Sequence, residues 1–152
     1  MRRKLLFLIF LLPLVGAEPA GYRYWSAADL KGYAKTLAPK MSAQKFANER
    51  IGDFGNHYAL AVHREGTGDA ELHENDADLM FISSGSATLV IGGSIKDSKQ
   101  TAPGEQRGPS IVGGSKQKLA PGDVVHVPSK TAHQVMLDPA TQITYLVVKV
   151  RD

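Results

Sequence analysis

The stretch of sequence that decides the fold is residues 71–85, ELHENDADLMFISSG. Its first half crowds acidic residues around a histidine, and an apolar run, LMFI, follows at once. A solvated loop would explain the charges alone. It would not explain why Glu71, His73 and Asp78 lie so close to a predicted buried strand, so the alternative is that they are the ligands of an ion.

The spacing within this cluster suits convergent ligands. Glu71 and His73 are two residues apart, so their side chains point to the same face of an extended chain. Asp78 opens the next predicted strand, and a hairpin would bring it back opposite this pair. Each residue keeps an ordinary alternative, because a lone Glu71 can be a solvated carboxylate and Asp78 a turn residue at the start of a strand.

A fourth candidate ligand lies far along the chain, in residues 119–137, LAPGDVVHVPSKTAHQVML. His133 leads an alternating strand with Val135 and Leu137 on its own side. If those two side chains face the core, His133 faces it too. A histidine in an apolar interior needs a polar partner, and a metal ion is one such partner.

At the first stretch the sequence resembles the cupin superfamily. The first motif of that family runs His-x-His, three or four residues, Glu, six residues, Gly. The positions that match this spacing here are Glu71, His73, Asp78 and Gly85.

The second stretch resembles the second cupin motif, which runs Gly, five residues, Pro-x-Gly, two residues, His. The matching positions are Gly122, Pro128, Lys130 and His133. The resemblance covers residues 58–150 and implies an all-β fold, a single-domain jelly-roll barrel of roughly six to eight strands. It also implies a divalent metal ion inside the barrel, held by the four matching positions Glu71, His73, Asp78 and His133.

Departures from the family pattern shape the predicted site. Glu71 replaces the first family histidine, Asp78 replaces the family glutamate, Lys130 replaces a glycine, and Leu137 stands where the longer motif has asparagine. The site would hold two imidazoles and two carboxylates, a donor set that suits manganese, iron or zinc. Asp78 is one methylene shorter than glutamate, so it could reach the ion through water.

Six short runs predict β-strands: YALAVHR, DLMFIS, ATLVIGG, DVVHVP, HQVML and TYLVVKV. They are rich in β-branched and aromatic residues and have no helical pattern between them, which favours an antiparallel sandwich or barrel. Upstream, Ser26 can cap a helix that has Leu30, Tyr33 and Leu37 on one face and ends at Pro39.

The predicted organisation is a helical extension over residues 18–45 followed by a barrel domain over residues 46–152. Residues 92–122 are dense in glycine, proline, serine and charge, and look too polar for a core. We interpret them as a long hairpin excursion that could cover one mouth of the barrel.

The N-terminus predicts a signal peptide over residues 1–17. A basic start, MRRK, precedes the apolar stretch LLFLIFLLPLVG, and Val15 and Ala17 are small residues at the −3 and −1 positions of a cleavage site. This stretch is shorter than the roughly 20 residues that cross a bilayer and contains Pro13. We therefore expect a secreted or periplasmic protein with no membrane attachment after cleavage.

Composition excludes several other functions. Cleavage would remove three basic residues and lower Lys+Arg from 18 to 15, equal to the 15 Asp+Glu, so no basic surface predicts nucleic-acid binding. The chain has no cysteine, which rules out disulfides, thiolate ligands and a cysteine nucleophile.

The remaining histidines are weaker candidates. His63 shares one strand face with Ala59 and Ala61 and could line the barrel, although a surface position is the commoner arrangement. His126 is expected to point away from its flanking valines, and His57 to lie in a turn.

Two functions follow from the cluster. The first is an exported metal-dependent enzyme, an oxygenase, isomerase or lyase acting on a small oxygen-bearing molecule inside the barrel. The second is a non-catalytic protein that binds a metal or small ligand in the same cavity. The sequence leaves the substrate, the choice of metal and a possible homodimer open.

Overall fold

The computed structural model describes residues 16–152, and in this range one helix precedes an all-β domain. Helix α1 spans Ala27–Leu37 and a 3₁₀ turn covers Ala38–Lys40. The strands are β1 (Phe46–Asp53), β2 (His57–Arg64), β3 (Ala70–His73), β4 (Asp76–Gly85), β5 (Ala87–Ile91), β6 (Ser94–Lys96), β7 (Lys99–Ala102), β8 (Glu105–Gly108), β9 (Ser110–Val112), β10 (Ser115–Leu119), β11 (Val124–Val127), β12 (His133–Met136) and β13 (Ile143–Arg151).

Two antiparallel sheets form the barrel. One has the strand order β1-β2-β13-β4-β11, and the other has the order β10-β5-β12-β3-β8-β7. A two-stranded ribbon, β6-β9, completes the structure of the described residues. All six predicted strands are present, as β2, β4, β5, β11, β12 and β13, and the predicted jelly-roll barrel is confirmed.

The core lies between the two sheets, where alternate residues of each strand point inward. Its buried apolar side chains come from both sheets, including Met80 and Val147 from the first and Leu89 and Val135 from the second. Fully burying one such side chain stabilises the fold by roughly 1.5–3 kcal/mol. Core packing therefore fixes the strands of both sheets, including β4 and β12, which carry the predicted ligands Asp78 and His133.

Helix α1 covers the outer face of the five-stranded sheet. Ser26 and Asp29 form a reciprocal capping box at its N-terminus, as predicted for Ser26. Leu37 is fully buried and packs with Ala47 and Ala61 on the sheet. This cover explains why β13 is buried on both faces for most of its length and has a continuous apolar sequence.

Residues 92–122 are not a plain excursion, and this part of the sequence interpretation was wrong. Short strands occupy most of the segment, and β8 pairs with β3 to extend the six-stranded sheet. A hairpin of β7 and β8 then places Thr101, Glu105 and Arg107 at the wall of the barrel cavity. The polar composition reflects this role at the cavity and not a lack of structure.

The predicted signal peptide falls almost entirely on residues outside the described range. From residue 16 onward, no helix is long and apolar enough to cross a membrane.

Candidate functional site

Strand register builds the first half of the site on the six-stranded sheet. Glu71 on β3 pairs directly with His133 on β12 on one side and with Arg107 on β8 on the other. Partners that are directly opposite in an antiparallel ladder point to the same face. A row of His133, Glu71 and Arg107 therefore faces the interior of the barrel.

The next row of the same sheet holds His73. It pairs with Glu105 on β8, and its Nδ1 lies 2.7 Å from a Glu105 carboxylate oxygen. His133 has a similar arrangement, because its Nδ1 lies 3.1 Å from the backbone carbonyl oxygen of Thr131. Each Nδ1–H donates to an oxygen acceptor, so Nε2 is the ring nitrogen that points into the barrel.

Asp78 and Lys149 supply the second half of the site from the opposite sheet. They are register partners on β4 and β13. An oxygen of Asp78 lies 3.7 Å from Nε2 of His73 and 3.6 Å from Nε2 of His133. The four predicted ligands thus come together, but not through the predicted hairpin, because β3 and β4 lie in different sheets and face each other across the interior.

The Lys149 ammonium lies at the point where these side chains converge. Its Nζ is 2.6 Å from Nε2 of His73, 2.6 Å from Oδ1 of Asp78 and 2.8 Å from Oδ2. The hydrogen bond goes to Oδ2, while Oδ1 has no well-directed donor and is the buried side-chain oxygen within residues 16–152 that lacks one. The cluster therefore surrounds the cationic ammonium of Lys149 and still has one buried acceptor, Oδ1 of Asp78, without a hydrogen-bond donor.

Glu71 is ionised by its surroundings. Its carboxylate contacts Arg107 at 2.9 Å and Arg64 at 3.3 Å. Burial alone would raise the pKa of Glu71, but the charges of the two arginines outweigh it and hold the pKa below its usual 4.5. Arg64 is itself fixed, since its Nε donates to the Tyr145 hydroxyl at 3.1 Å and its guanidinium lies over the Phe46 ring.

Asp78 is also held in its charged form. Burial opposes ionisation, but the contact with His133 and the charge of Lys149 outweigh it and lower the pKa of Asp78 below its usual 3.8. With both carboxylates charged, the site presents two carboxylates and the Nε2 atoms of two imidazoles.

A cavity of about 390 Å³ adjoins the cluster. The polar cluster lies at one side of this cavity, and the side chains of Leu60, Val62, Val135 and Val147 form an apolar wall. This volume lies in the range of small-molecule binding sites, which are typically apolar cavities with a few convergent polar groups.

The donor set fits a divalent metal ion. Among the described residues, Glu71, His73 and His133 offer ligand atoms that all lie within 4.8 Å of one another. The orientation of both imidazoles by outer hydrogen bonds is the arrangement that metal-binding histidines use. The ammonium of Lys149 contacts one of these donors, Nε2 of His73, together with both carboxylate oxygens of Asp78.

The other histidines lie away from the cluster. His63 is buried on the face of β2 opposite the cavity, with Nδ1 2.8 Å from the Thr144 hydroxyl, so it neither lines the barrel nor lies on the surface. His126 is exposed and opposite its flanking valines, as predicted. The prediction that His57 lies in a turn was wrong, because His57 begins β2 and stacks on Phe54.

Sequence reasoning missed three side chains of the site, which are Lys149, Glu105 and Arg107. Lys149 had a detectable signal, because it shares one strand face with Tyr145 and Val147 in the run TYLVVKV. Glu105 and Arg107 had none, since their place depends on the pairing of β8 with β3.

Sequence comparison and structure comparison give different results for this chain. No protein-family model and no curated protein matches its sequence. The fold does match solved structures. The polyketide cyclase RemF from Streptomyces resistomycificus is 14% identical with a TM-score of 0.52, and the match covers 74% of this chain and 69% of that one.

Two further matches name the fold. A sugar phosphate isomerase of the cupin superfamily from Silicibacter pomeroyi is 20% identical, with a TM-score of 0.50 over 71% of this chain and 60% of that one. A cupin-2 domain protein from Rhodospirillum rubrum is 15% identical, with a TM-score of 0.52 over 72% of this chain and 63% of that one. The chain thus spans less than two thirds of the length of these two proteins.

The chain has the cupin fold, a single jelly-roll barrel with polar residues from both sheets converging in its interior. At these identities the likeness establishes the fold and leaves the activity to be argued from the site.

Proposed function

We propose that the barrel binds a divalent metal ion through Glu71, His73 and His133, with Asp78 as the fourth ligand, and that it acts on a small oxygen-bearing molecule in the adjoining cavity. One observation carries this proposal. Both imidazoles have Nδ1 tied to an outer acceptor, so both Nε2 atoms point toward ionised carboxylates. Manganese, iron and zinc suit this donor set.

The ion would supply Lewis acidity, polarising an oxygen of the bound molecule. The reaction class would be that of an isomerase, a lyase or an oxygenase. Two of the structural neighbours are a cyclase and an isomerase by name, which supports an enzyme without identifying the substrate.

Charge lining the cavity indicates the kind of ligand. Three cationic side chains face four carboxylates, which are Arg64, Arg107 and Lys149 against Asp69, Glu71, Asp78 and Glu105. This gives one net negative charge, and a divalent ion would change it to one net positive charge. A neutral or singly anionic oxygen ligand is therefore favoured over a cation.

The alternative function is non-catalytic binding of a metal or small ligand. The convergence of four side-chain donors favours it, because structural metal sites fill their coordination with protein ligands whereas catalytic sites keep a position open. A fully coordinated ion would leave no place for a substrate oxygen.

The proposal includes a location: we propose that the protein is exported after cleavage of a signal peptide. The basic start, the apolar stretch and the small residues at 15 and 17 support cleavage after Ala17. Intact-mass measurement of the exported protein is expected to give a chain beginning at Glu18. A product that keeps residues 1–4 in a membrane fraction would contradict export.

Elemental analysis tests the metal directly. The purified protein is expected to contain close to one equivalent of manganese, iron or zinc, and the paired change His73→Ala with His133→Ala should remove it. His126→Ala is the matched control, because this histidine is exposed and away from the cluster. Equal metal content in all three proteins would contradict the proposed site.

Bound metal alone does not separate enzyme from binding protein. Water proton relaxation with manganese in the site would do so, since an open coordination position exchanges water and enhances relaxation. A relaxation enhancement supports the enzyme, and its absence supports the non-catalytic alternative.

A further inference from the structure

We infer that the Lys149 ammonium competes with the divalent ion for the same donors, so that Lys149 sets the metal affinity of the site and must leave it when the metal binds. This inference rests on the proposed metal site and adds a residue that opposes it. The competing group is a single side chain on β13, so one substitution can remove it.

The geometry places the ammonium among the metal donors. Its Nζ lies 2.6 Å from Nε2 of His73 and contacts both carboxylate oxygens of Asp78, at 2.6 Å and 2.8 Å. Lys149 is 8% exposed, so water does not compete strongly for these contacts. Its pairing with Asp78 in the β13–β4 ladder fixes the base of the side chain directly beside the site.

Nitrogen chemistry makes the two occupants mutually exclusive. An imidazole has one lone pair on each unprotonated nitrogen, and the Nδ1 of His73 is committed to Glu105. The lone pair on Nε2 can therefore accept a hydrogen bond from Lys149 or coordinate a metal ion, but it cannot do both at once. Repulsion between an ammonium and a divalent cation inside a buried site acts in the same direction.

The length of the lysine side chain allows the exchange. Four methylenes give the ammonium enough reach to swing toward the cavity, which adjoins the cluster and is lined by Lys149 itself. In that position the ammonium would face the small ligand of the proposed function. Lys149 would then change from a substitute for the ion to a contact for an anionic ligand oxygen.

A purely structural ion pair makes a different prediction. If Lys149 only neutralises Asp78, replacing it leaves a buried carboxylate unpaired and lowers stability, with no gain in metal affinity. If Lys149 competes with the ion, the same replacement lowers the stability of the metal-free protein but tightens metal binding. The two roles therefore separate in a single set of variants.

The test is calorimetric titration of the full chain with manganese and with zinc, comparing wild type with Lys149→Met and Lys149→Gln. The change Lys118→Met is the matched control, because Lys118 is exposed, pairs with Asp138 and does not line the cavity. Two variants are used because methionine and glutamine replace the ammonium in different ways, and thermal melts without metal check that each is folded.

The expected result is a dissociation constant at least about tenfold lower in both Lys149 variants, since the metal no longer has to break charge-assisted hydrogen bonds. Lys118→Met should bind as wild type does. Binding by the variants with none by wild type would also support competition, although it would contradict the metal-dependent function of the natural chain.

Two results would overturn the inference, and they differ in what they say about the function. If wild type and the Lys149 variants bind with the same dissociation constant, Lys149 does not compete while the metal site stands. If none of the proteins binds either ion, both the competition and the proposed metal site fail.

Discussion

His73 and Glu105 face each other across the β3–β8 ladder, with Nδ1 of the imidazole 2.7 Å from a carboxylate oxygen. This contact fixes the ring so that Nε2 points at the other candidate ligands. Glu105 is not one of the four proposed ligands, so in the proposed site it would act on the ion only through His73. Outer partners of this kind typically change metal affinity by about ten- to a hundredfold when they are removed.

Glu105→Ala is expected to weaken manganese binding by about ten- to a hundredfold, because His73 loses the acceptor that holds its tautomer and orientation. The measurement is a calorimetric dissociation constant. Glu74→Ala is the control, since Glu74 is exposed and bonds to the side chain of Gln106. An unchanged affinity in Glu105→Ala would show that backbone packing alone orients the ring.

Arg64→Ala is expected to lower the free energy of unfolding by about 3 kcal/mol, the lower end for breaking a buried ion pair, because Glu71 keeps Arg107 as a partner. The loss includes the hydrogen bond to Tyr145 and the packing on Phe46. Urea denaturation measures it, and Arg23→Ala, at an exposed position, should stay within about 0.5 kcal/mol of wild type. If Arg64→Ala also lowered the free energy of unfolding by no more than about 0.5 kcal/mol, this would contradict a stabilising role of Arg64 in the buried ion pair.

Protonation of Glu71 in acid is expected to lower the free energy of unfolding of the metal-free protein. Its pKa is lower in the folded protein than the ordinary 4.5, so folding favours the ionised form. This contribution is complete above the unfolded pKa and is lost as pH falls through the folded pKa.

Melting temperatures measured from neutral pH into the acid range test this assignment. Glu71→Gln should flatten the acid side of the profile, while Glu74→Gln, at an exposed position, should leave it unchanged. Parallel profiles for wild type and Glu71→Gln would show that Glu71 is not held ionised in the folded state.

Two glycines are expected to respond to alanine with opposite signs. Gly85 has φ = +76°, and an added Cβ would collide with the backbone carbonyl of Gln142, so Gly85→Ala should cost at least about 2 kcal/mol. Gly32 lies in α1 with open space around it, and Gly32→Ala should stabilise the protein by about 0.5–1 kcal/mol. Unfolding free energies that moved in the same direction would contradict the described backbone at one of the two sites.

The sequence predicted the parts of the fold that depend on local pattern. Strand periodicity and turn residues located the six core strands, and Ser26 located the helix. The spacing of His73, Asp78 and His133 in the two motifs identified three side chains of the site. Each motif fixes positions along the chain, so it can be read from local sequence. These features need no knowledge of which strands are neighbours.

The parts that were missed depend on long-range pairing. Glu105 and Arg107 reach the site only because β8 adds to the edge of β3, and their own segment is polar and rich in turns. Asp78 was expected in a hairpin with the strand of His73, whereas it faces that strand from the other sheet. Lys149 shares one face of its strand with Tyr145 and Val147, which is a sequence signal, but both faces of β13 are largely buried, so periodicity alone does not show which face points into the barrel.

The most direct test of the metal site is a thermal melt of the metal-free protein with and without manganese, iron or zinc. His73 and His133 lie on different strands, so an ion would bind the folded state and raise the melting temperature. An ion present at a hundred times its dissociation constant stabilises the folded state by about 2.7 kcal/mol, and chelator should reverse the effect. His133→Ala should abolish the shift, and His126→Ala should preserve it. A wild-type protein that melts at the same temperature with each ion and with chelator would contradict the metal centre and leave the cluster as an internal ion pair of Lys149 and Asp78.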